Sequence, residues 1–157
     1  LIENGHKGDH DLKTLRAKKG ELVFYRSLGK EPDRCLECGV LCENCVDVCP
    51  NRANISVFPE GASSPQVVHI DTLCNECGNC STFCPWAGSP YKDKFTFFLK
   101  EKDFYESRNS GFFTLGKGKF KIRLEGRIFT SELDPEDNKL PADIASLIKA
   151  AMKSIPI

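Results

Sequence analysis

Hydrophobic residues after position 94 follow the spacing of strands and then that of a helix. Apolar runs typical of strands lie at residues 95–99, 111–115, 120–124 and 127–130. The glycine-rich residues 116–119 separate two of these runs and predict a hairpin. From Asp143 to Met152, behind Pro141, apolar residues recur every three or four positions and predict a helix. We therefore expect a β-rich extension that ends in a helix, with its phenylalanines in the core.

The first 94 residues have a weaker pattern. Residues 10–19 predict a short helix and residues 21–25 a strand, both within a polar lead that ends near residue 34. Residues 55–58 and 67–71 predict two paired strands, with the turn-rich residues 61–65 between them. The chain as a whole is expected to be an α+β protein.

Two cysteine-rich runs are the most informative feature of the chain. Residues 74–85 read CNECGNCSTFCP, and residues 35–50 read CLECGVLCENCVDVCP. Three cysteines at intervals of three, followed by Cys-Pro, are the bacterial ferredoxin spacing for a [4Fe–4S] cluster. The fourth cysteine of such a run ligates the other cluster of a pair, so two runs predict two clusters. After each central cysteine we also expect a short helix that carries the Cys-Pro.

The second run has a regular register, whereas the first has one cysteine too many. We expect one cluster to be held by Cys74, Cys77, Cys80 and Cys49, and Cys84 to complete the other. Within the first run, Cys38 and Cys45 are ligands whichever way it is aligned. Either Cys35 or Cys42 is spare, and both alignments remain open. The candidate cluster ligands are therefore Cys35, Cys38, Cys42, Cys45, Cys49, Cys74, Cys77, Cys80 and Cys84.

Composition narrows the class of protein. Nine cysteines in 157 residues would suit a secreted disulfide frame, but the polar N-terminus has no apolar segment of a signal peptide. No run is long enough to cross a membrane, and no basic stripe with stacking aromatics suggests nucleic-acid binding. We expect a cytoplasmic protein with reduced thiols. Because the chain begins at Leu1 without Met, we also expect a piece of a longer polypeptide.

Charge is distributed unevenly although the net charge is zero. From residue 35 to residue 84 a single base, Arg52, stands against six acids: Glu37, Glu43, Asp47, Glu60, Asp71 and Glu76. The two flanking segments each carry a net positive charge. We expect this charge either to offset the negative field of the cysteine region or to dock the acidic region to a partner. Ordinary solvated surface is the simpler interpretation.

Alternatives to an electron relay remain. Paired C-x-x-C motifs also bind zinc, and clusters that never change redox state could serve only assembly. His69 is interpreted as a strand residue, not a ligand. No nucleophile, base and orienting group are grouped, so a catalytic site of this chain's own is not indicated.

Longer strings add a family resemblance over residues 35–99. Residues 34–39 read RCLECG, residues 42–54 read CENCVDVCPNRAN, and residues 83–94 read FCPWAGSPYKDK. They resemble the C-terminal ferredoxin-like segment of the family named for a selenate reductase iron–sulfur subunit, large flavoproteins related to the glutamate synthase small subunit and dihydropyrimidine dehydrogenase.

The resemblance implies a parent enzyme that carries FAD and uses NAD(P)H, both outside this chain. It also implies electron transfer between the flavoprotein segment and another centre, with a molybdenum hydroxylase as a candidate partner. The expected organisation is a lead at residues 1–34, a two-cluster ferredoxin-like domain at residues 35–94 and the extension at residues 95–157.

Overall fold

The computed structural model describes residues 42–62, 65–85, 87–133 and 140–155. The helix predicted at residues 10–19 and the strand predicted at residues 21–25 lie outside the described residues, as do Cys35 and Cys38. Within the described ranges the protein contains helices and one mixed sheet, so the predicted α+β class is confirmed.

The elements follow the predicted order with two additions. In chain order they are α1 (Asn44–Asp47), β1 (Asn54–Val57), β2 (Gln66–Ile70), a 3₁₀ turn (Asp71–Leu73), α2 (Asn79–Thr82), α3 (Pro90–Asp93), β3 (Phe95–Phe97), α4 (Glu101–Glu106), β4 (Gly111–Gly116), β5 (Lys119–Leu124), β6 (Arg127–Ser131) and α5 (Ala142–Ser154). The sequence pattern did not predict α3 or α4.

Six strands form one sheet in the order β1-β2-β3-β4-β5-β6. β1 and β2 pair, as predicted, and they are antiparallel, while β4, β5 and β6 form an antiparallel meander. β3 lies between β2 and β4 and is parallel to both. Because parallel neighbours need a crossover, the chain from β2 to β3 must leave the sheet, and this crossover contains the second cysteine run. The proposed boundary between residues 94 and 95 stays a prediction.

The sheet carries apolar residues on both faces. Phe97 and Phe112 are fully buried in the larger core, against which α5 places Ile144, Leu147 and Ile148. The next residues along the chain, Phe98 and Phe113, pack with Phe104 of α4 in a separate cluster, because successive strand side chains point to opposite faces. The seven phenylalanines from Phe95 to Phe120 are all buried, so their predicted core role is confirmed, whereas Phe129 is half-buried against the larger core.

Two turns show why small residues stand where they do. The β4–β5 hairpin turns through Lys117 and Gly118, both with positive φ (51° and 75°), which suits the twist of paired strands. Gly111 pairs with Thr96 across the parallel β3–β4 ladder. A Cβ atom at Gly111 would lie 2.1 Å from the Thr96 carbonyl oxygen, so only glycine allows this approach.

Candidate metal centre

The two cysteine runs form the same local structure, 35 residues apart. In α1 the Val46 amide donates to the Glu43 carbonyl at 2.8 Å, and in α2 the Ser81 amide donates to the Gly78 carbonyl at 3.0 Å. This correspondence makes Cys45 equivalent to Cys80, and both are buried. The predicted short helices are therefore present, but both end before the Cys-Pro that they were expected to carry.

The repeat extends to the Cys-Pro ends of both runs. Cys49 Sγ accepts a hydrogen bond from the Ala53 amide at 3.1 Å, and Cys84 Sγ accepts one from the Gly88 amide at 3.3 Å. In each case the residue before the donor, Arg52 or Ala87, has a positive φ (54° and 52°). This left-handed step turns the backbone amide back towards the sulfur. Such amides stabilise a thiolate and tune a metal bound to it.

An open cavity is lined by four cysteines: Cys49, Cys74, Cys77 and Cys80. They are the four residues that the sequence assigned to a single cluster. Three come from the β2–β3 crossover and one from the end of the first run. The structure thus gathers the predicted set around one space, while cluster binding by these thiols stays a prediction.

The loop before α2 wraps its own cysteines. The Glu76 amide donates to Cys74 Sγ at 3.3 Å, and both Glu76 and Gly78 have positive φ (53° and 79°). Burial raises the pKa of the Cys74 thiol, the Glu76 amide opposes that shift, and the neighbouring Cys80 and Cys49 thiols add to it. Several thiolates close together repel one another, so a cation or cluster that neutralises them would relieve this strain.

A chain of buried hydrogen bonds links β2 to the first cysteine run. His69 Nδ1 and Asn54 Oδ1 are 2.8 Å apart, and Asn54 Nδ2 donates to the Cys45 carbonyl at 2.8 Å. Since an amide oxygen only accepts, His69 donates from Nδ1 and its Nε2 carries no proton. Burial lowers the pKa of His69 to about 4, which keeps the ring neutral. His69 lies in β2, so its interpretation as a strand residue is confirmed.

Sequence reasoning missed Asn54, although it lines the cavity and holds the Cys45 carbonyl. No local signal marks an asparagine at the start of a strand as a tie between the first cysteine run and β2. Its role follows only from the β1–β2 register, which pairs Asn54 with His69.

The first run is described in part. Cys42 and Cys84 are half-buried and Cys45 is buried, while Cys35 and Cys38 lie outside the described residues. None of the seven described cysteines forms a disulfide. Among the described residues, no three His, Cys, Asp or Glu side chains are grouped as ligands of a single metal ion. The donor set is soft thiolate with amide donors around a cavity, which suits an iron–sulfur core.

Comparison with known proteins identifies long relatives. Over 125 residues, 78% of the chain, the sequence is 42% identical to the protein named Putative oxidoreductase YgfK of Escherichia coli O157:H7. The protein of the same name in strain K12 matches equally. The matched region is 12% of the length of these relatives. The predicted kinship with an oxidoreductase is supported, whereas the narrower selenate reductase assignment stays a prediction.

Other comparisons returned nothing. No protein-family model matches the chain, and no solved structure matches it. Across the part of the chain that the structure describes, no helix has the length and apolar character needed to span a bilayer.

Proposed function

We propose that this chain transfers electrons through two [4Fe–4S] clusters as a ferredoxin-like segment of a larger flavin-dependent oxidoreductase. The observation that carries the proposal is the cavity lined by Cys49, Cys74, Cys77 and Cys80. The proposal is supported because these four cysteines come from both sequence runs, as the ligand exchange of a two-cluster ferredoxin would require.

The structural repeat favours one alignment of the first run. Because α1 and α2 correspond at an interval of 35 residues, Cys42 stands three residues before Cys45 as Cys77 stands before Cys80. We assign Cys42, Cys45 and Cys84 to the second cluster, with Cys38 as the fourth ligand. Cys35 is then the spare cysteine.

Each group around the site has a role in such a relay. The clusters supply one-electron chemistry with charge spread over several irons. The amides of Ala53, Glu76 and Gly88 stabilise the thiolates by hydrogen bonding. Neutral His69 adds no positive charge beside the cavity. Cys77 is exposed, so electrons would pass to a partner most directly at its edge of the cavity.

The parent enzyme supplies the remaining chemistry. The curated relatives are named oxidoreductases and extend far beyond the region matched here. We place FAD and the NAD(P)H site on other segments of such a parent, with the flavoprotein segment as donor or acceptor. A molybdenum hydroxylase is the further partner that the family resemblance suggests, and the cytoplasm is the compartment that keeps the thiols reduced.

The test is iron and acid-labile sulfide per chain after purification without oxygen. We expect about eight of each, and a reductive titration followed by electron paramagnetic resonance should give two reducible clusters. Zinc without sulfide would overturn the proposal. Clusters that form but cannot be reduced would show a structural module instead.

A matched pair of variants tests the ligand assignment. Cys42→Ser is expected to lose or degrade one cluster, roughly halving the iron content, whereas Cys35→Ser should keep the full amount. Cys77→Ser should affect the other cluster. Full iron in Cys42→Ser together with loss in Cys35→Ser would reverse the alignment of the first run.

A further inference from the structure

One buried hydroxyl in the cysteine region has no hydrogen-bond partner among the described residues. Ser81 Oγ is inaccessible to solvent and unpaired, and its residue lies in α2 between Cys80 and Cys84. A helical serine ordinarily bonds back to the carbonyl four residues earlier. Its neighbour Thr82 does so, donating to the Gly78 carbonyl at 3.2 Å, but Ser81 does not.

An unpaired hydroxyl in the interior is costly. A buried polar group without a partner destabilises a protein, because it has given up its hydrogen bonds to water. A hydroxyl kept in that position is therefore expected to have a partner in the working protein. No sulfur of a described cysteine accepts a hydrogen bond from Ser81 Oγ, so the acceptor that the proposed function would add beside α2 is the inorganic sulfide of a cluster.

Of the two repeated cysteine runs, only the second has a hydroxyl at this position of its helix. The position equivalent to Ser81 in α1 is Val46. This apolar residue packs against the buried side chains of Cys45, Val67 and Cys80. The backbone hydrogen bonds of the two helices correspond, so the pair differs in chemistry at matched positions. One half of the site thus has a hydroxyl donor where the other has a methyl group.

We propose that Ser81 Oγ–H donates a hydrogen bond to sulfur of one of the two clusters and raises the reduction potential of that cluster. The inference rests on the proposed function. A donor stabilises the reduced cluster more than the oxidised one, because the reduced form carries more negative charge. Val46 provides no such donor, so the two clusters have unequal potentials and electrons are directed to one of them.

The experiment is a redox titration that resolves both clusters by electron paramagnetic resonance, on protein of measured iron and sulfide content. Ser81→Ala should lower one potential and leave the other unchanged. A charge-assisted hydrogen bond lost in this way corresponds to roughly a tenfold change in the ratio of reduced to oxidised cluster, about 59 mV for a one-electron couple. Ser81→Thr keeps the hydroxyl and should restore the higher potential.

Thr82→Ala is the matched control, since it removes an exposed hydroxyl from the same helix. Its potentials should equal those of the unmodified chain. Should Ser81→Ala lose its clusters, the reciprocal Val46→Ser gives the same test, because a hydroxyl at the equivalent position should raise one potential.

The outcomes separate the two proposals. Unchanged potentials in Ser81→Ala with full iron content, or unchanged potentials in Val46→Ser, would overturn the role of Ser81 and leave the electron relay standing. Equal shifts in Ser81→Ala and Thr82→Ala would also overturn it. An unmodified chain without iron and sulfide would overturn the proposed function itself.

Discussion

Asn54 offers a sharp test of how the site is held together. Its side chain accepts from His69 Nδ1 at 2.8 Å and donates to the Cys45 carbonyl at 2.8 Å, and the residue is 1% exposed. Asn54→Ala removes both of these hydrogen bonds at once. It leaves the buried His69 Nδ1–H donor without this acceptor, which costs about 1–3 kcal/mol, and it removes one hydrogen bond from the Cys45 carbonyl, worth about 0.5–1.5 kcal/mol.

The expected loss in the free energy of unfolding is therefore about 1.5–4.5 kcal/mol, a large part of the roughly 5–15 kcal/mol that holds a typical domain together. The assay is chemical denaturation without oxygen, followed by circular dichroism and by the visible absorption expected of the proposed clusters. The helix α1 should loosen first, because its Cys45 carbonyl loses its tie to β1.

Asn44→Ala is the matched control. Asn44 lies in α1, the helix whose Cys45 carbonyl accepts from Asn54. It also donates to a backbone carbonyl, that of Phe83, but at 3.4 Å and in an exposed setting. Its removal should change the stability by less than about 1 kcal/mol. If Asn54→Ala and Asn44→Ala had equal stability, the chain of buried hydrogen bonds would not hold the site and the reasoning would be refuted.

Two further predictions concern the sheet. Gly111→Ala places a Cβ atom against the Thr96 carbonyl oxygen, far inside van der Waals contact. We therefore expect the free energy of unfolding, measured by chemical denaturation, to fall by about 1–3 kcal/mol. Ser110→Ala, at the exposed neighbouring residue, should cause no significant change. His69 has a folded pKa of about 4 against 6.5 in the unfolded chain, so the unfolded state binds more protons between these values. Stability should fall as the pH drops from about 6.5 to about 4, by up to about 3 kcal/mol, and His69→Gln should lack this part of the slope. A slope unchanged in His69→Gln would contradict the buried neutral ring.

Much of the secondary structure could be predicted because its signals are local. Alternating apolar residues placed β4, β5 and β6, the Lys117-Gly118 turn joined two of them, and helical spacing placed α5. The parallel placement of β3 between β2 and β4 could not be predicted. Parallel pairing joins segments that are distant in sequence. The three residues of β3 carry no pattern that identifies which strands lie beside it.

Arg123 illustrates a second limit. On a strand its charge suggests a solvent-facing residue, yet it is 6% exposed. Its guanidinium donates to the carbonyls of Phe104, Ser107 and Asn109 and lies 4.2 Å from the Phe104 ring centroid. Those acceptors surround the end of α4, which the sequence pattern did not predict, so the burial of this charge could not be predicted either.

The candidate site divides in the same way. Cysteine spacing by itself predicted that Cys49, Cys74, Cys77 and Cys80 belong together, since ligand intervals reflect how tightly a short loop turns around a metal core, but it left the choice between Cys35 and Cys42 open. Only the tertiary structure decided what surrounds them: the cavity that joins Cys49 to the second run, the Asn54 tie to Cys45, and the unpaired Ser81 hydroxyl. Spacing is a property of the chain, whereas burial and hydrogen-bond partners arise when β1, β2 and the two cysteine helices pack. A single polar residue has no signature until that packing brings its partners within reach.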